Sequence, residues 1–157
     1  MDLSKILAIA GKPGLYKMLA QTKNGLVVEG IPEGKKFTAF SHERISTLEE
    51  ISIYTEGEDM PLKEVLKAIY DKVDGAEALS HKSSGEELKT FFEDTVPDYD
   101  KENVYVSDIK KVINWYNSLH KLDLLDFTEE EKEEEKADDS IAEENKEATE
   151  ESTPEKE

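Results

Sequence analysis

Residues 51–70 read ISIYTEGEDMPLKEVLKAIY, and the spacing of the apolar side chains changes within this stretch. Up to Thr55 the residues are β-branched or aromatic, as in a strand, whereas from Leu62 onward apolar residues recur every three or four positions, as on one face of a helix. Pro61 suits the first position of that helix, and Asp59 is a candidate cap. The pattern predicts a β part that ends near residue 57 and a helical part that begins near residue 60.

The β part contains a predicted hairpin. Strand-compatible residues occupy 15–23 and 26–31, and the dipeptide Asn24-Gly25 separates them. This dipeptide tolerates the positive φ angles of a type I′ turn, whose twist suits a two-residue hairpin loop. We therefore expect two antiparallel strands joined at Asn24 and Gly25.

Further strands are predicted at 36–41 and 51–55, with a short strand and a helical turn between them at 45–50. Four or five short strands joined by tight turns indicate a small curled barrel, and SH3-like and OB-like barrels both have this size. No helix longer than one turn is predicted before residue 60, which favours the SH3-like barrel.

Three helices are predicted in the second part of the chain. The first follows Pro61, and the second begins after Ser84, which has capping-box spacing with Glu87. A short extended piece at 104–106 then leads to a third helix capped by Ser107. The predicted fold is therefore α+β, with an SH3-like barrel followed by a three-helix unit.

The predicted domains are the barrel at 1–57, the helical unit at 60–127 and an acidic tail at 128–157. Residues 129–157 alone hold 15 acidic residues and 4 lysines. Such a segment has too little apolar surface to offset the entropy of ordering its backbone, and its like charges repel one another. We expect the tail to be disordered.

The composition argues against several classes of function. The chain has no cysteine, which rules out disulfides, zinc–thiolate sites, iron–sulfur clusters and cysteine nucleophiles, and fits a reducing cytoplasm. No apolar run approaches the length of about 20 residues that spans a bilayer, and the N-terminal run lacks the basic leader of a signal peptide. No catalytic constellation, metal site or cofactor motif is recognised, so we expect a cytoplasmic, non-enzymatic protein that needs no cofactor.

The balance of charge bears on partners. The net charge is −18, which opposes long-range attraction to nucleic acid. Residues 1–41 are a local exception, because they hold 6 lysines and 3 acidic residues. A protein or peptide partner is therefore favoured over nucleic acid, and no membrane partner is expected.

The string Gly11-Lys12-Pro13-Gly14-Leu15-Tyr16-Lys17 is the most distinctive short motif. Its proline and glycines allow a sharp turn into the hairpin, and one interpretation is a rigid entry turn with no further role. The other interpretation is a basic and aromatic face that stacks bases or holds a methylated ammonium. The candidate interaction surface comprises Lys12, Tyr16, Lys17, Lys35, Lys36, Phe40 and Trp115.

Trp115 joins this set because it lies at the edge of the apolar stripe of the third helix. Its neighbour Tyr116 belongs to the stripe, and successive helical residues lie about 100° apart. Aromatic residues at such an edge often contact another domain or a partner. We expect Trp115 to face the barrel.

Several strings together resemble an uncharacterised two-part family of the Bacteroidetes phylum, a domain of unknown function. The strings are residues 11–17 (GKPGLYK), 51–55 (ISIYT), 61–65 (PLKEV) and 107–111 (SDIKK), with Trp115-Tyr116. The likeness covers residues 1–126. The resemblance implies a bacterial cytosolic setting and no established activity, so no functional residue is carried over from it.

The sequence leaves three functions open. The favoured one is an adaptor that binds a protein or peptide through grooves of the barrel or at the junction of barrel and helices. The second is RNA binding by the lysine-bearing barrel face, with the acidic tail as an autoinhibitor. The third is a small-molecule or enzymatic site at the domain junction, which a deep pocket lined by buried acids or a histidine would favour.

Overall fold

The computed structural model describes residues 2–127, and their elements follow the predicted order, strands first and helices second. The elements are β1 (Ile6–Ile9), β2 (Leu15–Thr22), β3 (Gly25–Ile31), β4 (Lys36–Phe40), β5 (Ile45–Thr47), a 3-10 turn (Leu48–Glu50), β6 (Ser52–Ile53), β7 (Met60–Pro61), α1 (Leu62–Lys72), α2 (Gly85–Thr95) and α3 (Val106–Lys121). The predicted α+β class is confirmed, with an antiparallel sheet and three helices. Residues Asp2–Leu125 form a single unit.

The predicted hairpin is confirmed, but its loop lies one residue earlier than expected. β2 and β3 pair as far as Thr22 and Gly25, so Lys23 and Asn24 form the loop. The φ angle is positive at neither Asn24 nor Gly25, and the predicted type I′ turn at these residues is wrong.

Gly25 is required for a different reason, the close approach of the next strand. It is the first residue of β3 and pairs with Phe40 of β4. A Cβ atom at this position would lie 2.0 Å from the carbonyl oxygen of Ala39. The backbone of β4 therefore occupies the space that any larger residue would need.

β1 lies inside the sheet and was not predicted from the sequence. The strand order is β4-β3-β2-β1-β5, and β1 pairs antiparallel with both β2 and β5. Ile6, Leu7 and Ile9 are buried, so the strand is apolar on both faces. A strand of this kind appears in the sequence as a continuous apolar run without a two-residue period.

The sheet curls around a small apolar cluster. Its buried members are Leu7, Ile9, Val28 and Ala39, and partly buried side chains from the edge strands, Phe37 of β4 and Ile45 of β5, pack against the same cluster. In the strand order β4 and β5 are the two edges, and the ladder does not close between them. Because the sheet is open, the barrel and the SH3-like fold are not confirmed and stay predictions.

The start of α1 differs from the prediction in detail. Pro61 precedes the helix with a ψ of 140° and pairs with Ser52 in the two-stranded β6–β7 sheet. The N–H of Leu62 donates to the carbonyl of Ile51 at 2.8 Å. Because this extended geometry ties the start of the helix to β6, Pro61 lies just before the first helical position and Asp59 is not the cap.

The predicted cap of α2 is confirmed, and that of α3 is wrong. Ser84 and Glu87 form the reciprocal capping box. In α3 the flanking residue is Tyr105, whose N–H donates to the Asp108 carboxylate at 3.0 Å. The Asp108 carboxylate at the third helical position accepts this charge-assisted bond, and the helix begins at Val106, before Ser107 and within the predicted extended piece.

Three polar side chains of α3 hold the segment that connects α1 to α2. The Tyr116 hydroxyl donates to the carbonyl of Ala76 at 2.9 Å, and His120 Nε2 lies 3.1 Å from the carbonyl oxygen of Gly75. Asn117 is 7% exposed, and its side chain forms hydrogen bonds with the backbone of Ala78 and Leu79. Burial raises the pKa of Tyr116 to about 12, so the hydroxyl stays a donor throughout the physiological range.

The predicted disordered tail at 128–157 lies outside the described residues. Within residues 2–127, none of the helices combines the length and the apolar character needed to cross a membrane.

A basic groove between the sheet and helix α3

A groove of about 530 Å³ separates the β1–β2 turn from α3. The β1–β2 side is formed by residues 8–14, with Arg44 and Ser46 beside them. The opposite side is formed by His81 and by Lys110, Lys111, Asn114 and Trp115 of α3, with Ile51 also in the lining.

The β1–β2 turn is built by the motif that the sequence singled out. Gly11 and Gly14 have φ angles of +81° and +85°, in the left-handed region that favours glycine. The N–H of Lys12 donates to the carbonyl of Ile9 at 3.1 Å, and that of Ala10 donates to the carbonyl of Arg44 at 2.9 Å. The predicted sharp turn is therefore present, and the second of these bonds places Arg44 alongside it.

The α3 side follows from helical spacing. Lys110 and Asn114 are four residues apart, as are Lys111 and Trp115, so each pair lies on one face of the helix. Both lysines are exposed and Trp115 is half-buried. Neither lysine has an ion-pair partner among the described residues.

The groove is basic in an acidic chain. Among residues 2–127, four cationic side chains line it, those of Lys12, Arg44, Lys110 and Lys111, and none of the lining residues in this range carries a carboxylate. The whole chain has 38 acidic and 20 basic residues, so an average surface would present more carboxylates than cations. The local excess makes the groove an attractive position for an anion.

Lys12 is the one cation of the four that has an ion-pair partner within the described range. Its Nζ atom lies 2.6 Å from Oε1 of Glu43 and 4.5 Å from the centre of the Phe37 ring. The bond from Lys12, together with the N–H of Phe40, lowers the pKa of Glu43 below its usual value. The free positive charge of the groove therefore comes mainly from Arg44, Lys110 and Lys111.

A second cavity of about 230 Å³ lies beside the groove. Ile51, Lys111 and Trp115 line both cavities, so the two share a boundary. Apolar side chains supply much of the second lining, which consists of Ile51, Ser52, Ile53, Tyr54, Asn103, Val104, Asp108, Lys111, Val112 and Trp115. A largely apolar cavity therefore lies next to the basic groove.

Some residues of the predicted interaction surface lie close together. Tyr16 packs edge-on against Phe37 with a centroid distance of 5.3 Å, and Lys12 covers the same ring. The Tyr16 hydroxyl donates to the carbonyl of Pro13 at 3.0 Å. Lys12 and Trp115 line opposite sides of the groove, so these two are the members of the predicted set that reach it.

The other members lie elsewhere. Lys17 and Lys36 both register with Glu29 of β3, one from each side, and successive strand residues point to opposite faces, so neither shares the face of Tyr16. Lys35 lies exposed before β4. Phe40 is 48% exposed and stacks on His42 at 5.8 Å.

Arg44, Lys110, Lys111 and His81 line the groove and were not among the predicted site residues. One local signal was available in the sequence, because Lys110-Lys111 precedes the half-buried Trp115 by one helical turn. Arg44 and His81 carry no such signal, since only the fold brings them to the same groove.

The chemistry of this lining suits binding of an anion. Acid–base catalysis needs a positioned donor and acceptor pair, whereas the described lining holds one histidine, His81, and no carboxylate to pair with it. Among residues 2–127 no group of three or more His, Cys, Asp or Glu side chains is arranged to hold a metal ion.

Comparison with known proteins matches the two sides of the groove to two family models. The domain of unknown function DUF5606 matches residues 3–48, and the domain of unknown function DUF6852 matches residues 51–119. A comparison with curated proteins found no match.

A solved structure resembles most of the chain. It is the solution NMR structure of a Northeast Structural Genomics Consortium target from Bacteroides vulgatus, with 43% sequence identity and a TM-score of 0.66. The match covers 80% of this chain and 91% of that one. The resemblance stated from the sequence is thereby confirmed, and the chain belongs to a two-part family of Bacteroidetes proteins in which DUF5606 is followed by DUF6852.

Proposed function

We propose that the chain is a non-enzymatic interaction protein that binds an acidic segment of a partner protein in the basic groove. The observation that carries this proposal is the lining of the groove, to which the described part of the chain contributes four cationic side chains and no carboxylate. Charges beyond about 8 Å are largely screened at physiological ionic strength. A short ligand in the groove therefore experiences the local cations more than the net charge of −18.

The position of the groove supports a role for the two-part chain as a whole. Residues 8–14, Arg44 and Ser46 belong to the first matched segment, whereas His81 and residues 110–115 belong to the second. Neither segment alone contains both sides. Binding in this groove would therefore require both parts.

The first prediction concerns the two lysines of α3. We expect the double variant Lys110→Glu, Lys111→Glu to bind an acetylated, amidated hexaglutamate peptide about tenfold more weakly than the wild type, because two attractive charges become repulsive. The chain contains a single tryptophan, Trp115, which lies in the groove. Its fluorescence in a peptide titration at low salt measures the affinity.

The matched control is Lys23→Glu, Lys89→Glu, which changes the net charge equally. Lys23 lies in the β2–β3 loop and Lys89 lies exposed on α2, and neither lines the groove. We expect the control to retain most of the affinity. Equal losses in the two double variants would refute a local site, as would the absence of any titration with the wild type.

A second prediction concerns Glu43, which pairs with Lys12. Replacing it with glutamine frees the Lys12 ammonium for a ligand, so we expect hexaglutamate to bind about twofold more tightly. Because the lowered pKa keeps Glu43 ionised to acidic pH, the stabilising pair is present at neutral pH and is lost as the pH falls through that lowered pKa.

Thermal melts of wild type and Glu43→Gln at a series of pH values test this pH dependence of the Lys12–Glu43 pair. The wild type should be slightly more stable at neutral pH, and the two curves should converge in acid. An advantage of the wild type that grew as the pH fell would contradict the assignment of the pair.

Nucleic-acid binding by the lysine-bearing barrel face is the alternative function. It is supported less, because Lys12 is paired with Glu43 and both Lys17 and Lys36 register with Glu29. A single-stranded oligouridylate is its probe, and its binding should fall steeply with salt. In that alternative, deletion of residues 129–157 removes the acidic autoinhibitor and strengthens binding.

We also propose the finer architecture that accompanies this function. The curled sheet would correspond to a small SH3-like barrel, a proposal supported by the packing of both edge strands on one cluster. Residues 1–57 and 60–127 would be its two domains, and the cytoplasm would be its location. The acidic residues at 129–157 would compete with an acidic ligand for the groove.

A further inference from the structure

We propose that the partner segment carries an aliphatic side chain next to its acidic residues, and that this side chain enters the 230 Å³ cavity beside the groove. This inference rests on the proposed function and adds the chemistry of the partner. The occupant is therefore an amphipathic peptide with one apolar anchor and a run of carboxylates.

The two cavities share part of their lining. Lys111 and Trp115 line both, one helical turn apart on α3, and Ile51 lines both from the 3-10 turn side. A ligand that contacts the Trp115 ring thus has a basic hollow on one side and an apolar hollow on the other. An extended peptide advances about 3.3 Å per residue, so neighbouring residues reach both.

Apolar side chains supply much of the lining of the smaller cavity. Ile53, Val104 and Val112 are buried residues that belong to its lining. The one carboxylate there, that of Asp108, accepts the N–H of Tyr105 and lies at the start of α3. An aliphatic side chain fits such a lining, whereas a phosphate would meet the carboxylate of Asp108.

The cations are unevenly distributed between the two cavities. Arg44, Lys110 and Lys111 have no ion-pair partner among residues 2–127 and all line the larger groove, and of these three only Lys111 also lines the apolar cavity. The carboxylates of the ligand therefore belong on the groove side and the anchor on the other. This asymmetry favours an anchored acidic peptide over a uniformly charged strand such as RNA.

The experiment compares four six-residue peptides by Trp115 fluorescence with the full-length chain. They are hexaglutamate, Leu-Glu₅, Glu₅-Leu and Ala-Glu₅, all acetylated and amidated. We expect one of the two leucine peptides to bind about tenfold more tightly than hexaglutamate, because burial of one aliphatic side chain supplies that factor. Ala-Glu₅ should gain little.

A cavity-filling variant locates the anchor. Ser52 is exposed and lines the apolar cavity but not the groove, so Ser52→Phe should abolish the advantage of leucine and leave hexaglutamate binding unchanged. Far-UV circular dichroism and a thermal melt establish that the variant is folded. Loss of the leucine advantage with hexaglutamate binding intact supports the proposal.

The outcomes separate the inference from the function it rests on. If hexaglutamate binds and neither leucine peptide binds better, the anchor is refuted and the basic groove stands. If no peptide binds, the proposed function fails and the inference with it. Tighter binding of oligouridylate or octanoate than of both leucine peptides overturns the peptide as occupant in favour of nucleic acid or a small amphipathic anion.

Discussion

Replacing Gly25 with alanine should destabilise the protein by about 3 kcal/mol. The added Cβ atom would lie 2.0 Å from the Ala39 carbonyl oxygen and 2.9 Å from the Phe40 Cα atom, both of which are backbone. Rotation of a side chain cannot relieve either contact. The strands must separate, and Ala39 cannot move freely because it is fully buried in the cluster that the sheet surrounds.

Urea or thermal unfolding followed by circular dichroism measures this loss, which corresponds to a fall of roughly 10 °C in Tm. The matched control is Gly57→Ala, since a Cβ atom at Gly57 meets nothing within 4 Å and its φ angle is not positive. The control should unfold like the wild type. Wild-type stability of Gly25→Ala would mean that β3 and β4 do not pair in this register.

Gly25 also illustrates what the sequence predicts and what it does not. The pair Asn24-Gly25 indicated a hairpin, and the hairpin is present. The positive φ angle expected at this pair was wrong. Gly25 is required because a neighbouring strand, which starts more than ten residues later, passes too close for a larger residue. Turn chemistry is local, whereas the space around a strand residue depends on the tertiary arrangement.

Local physical chemistry accounts for the elements that were predicted well. The capping box of Ser84 with Glu87 and the change of period near residue 60 each depend on residues within a few positions of one another. β1 was missed because both of its faces are buried and its sequence does not alternate.

The basic groove could not be predicted for a comparable reason. Its cations come from residues 12, 44, 110 and 111, and each is an ordinary charged residue in its own segment. Only the pairing of β1 with β5 and the packing of α3 bring them together. The predicted surface combined Tyr16 with Lys17, yet adjacent strand residues point to opposite faces of a sheet.

Asn117→Ala should cost about 3 kcal/mol of stability, because three backbone groups, two of them buried, lose their partner. The Asn117 Oδ1 atom accepts the N–H of Ala78 at 2.9 Å, and its Nδ2 atom donates to the carbonyls of Ala78 and Leu79 at 3.4 and 3.2 Å. Asn117 and Ala78 are both buried, at 7% and 9% exposure, so water does not readily replace these bonds. Chemical denaturation measures the loss.

Asn114→Ala is the control, since Asn114 lies almost one turn earlier on the same helix and none of the hydrogen bonds found in residues 2–127 uses its side chain. Its stability should change by no more than about 0.5 kcal/mol.

Asn117→Asp separates hydrogen bonding from packing, because an ionised carboxylate keeps the shape but cannot donate to the two carbonyls. Burial raises the pKa of such a carboxyl above its unfolded value, so this variant should gain stability relative to the wild type as the pH falls. Equal stability of Asn117→Asp and the wild type at neutral pH would show that the two carbonyls do not depend on the amide, and that the segment between α1 and α2 is held by Tyr116 and His120 instead.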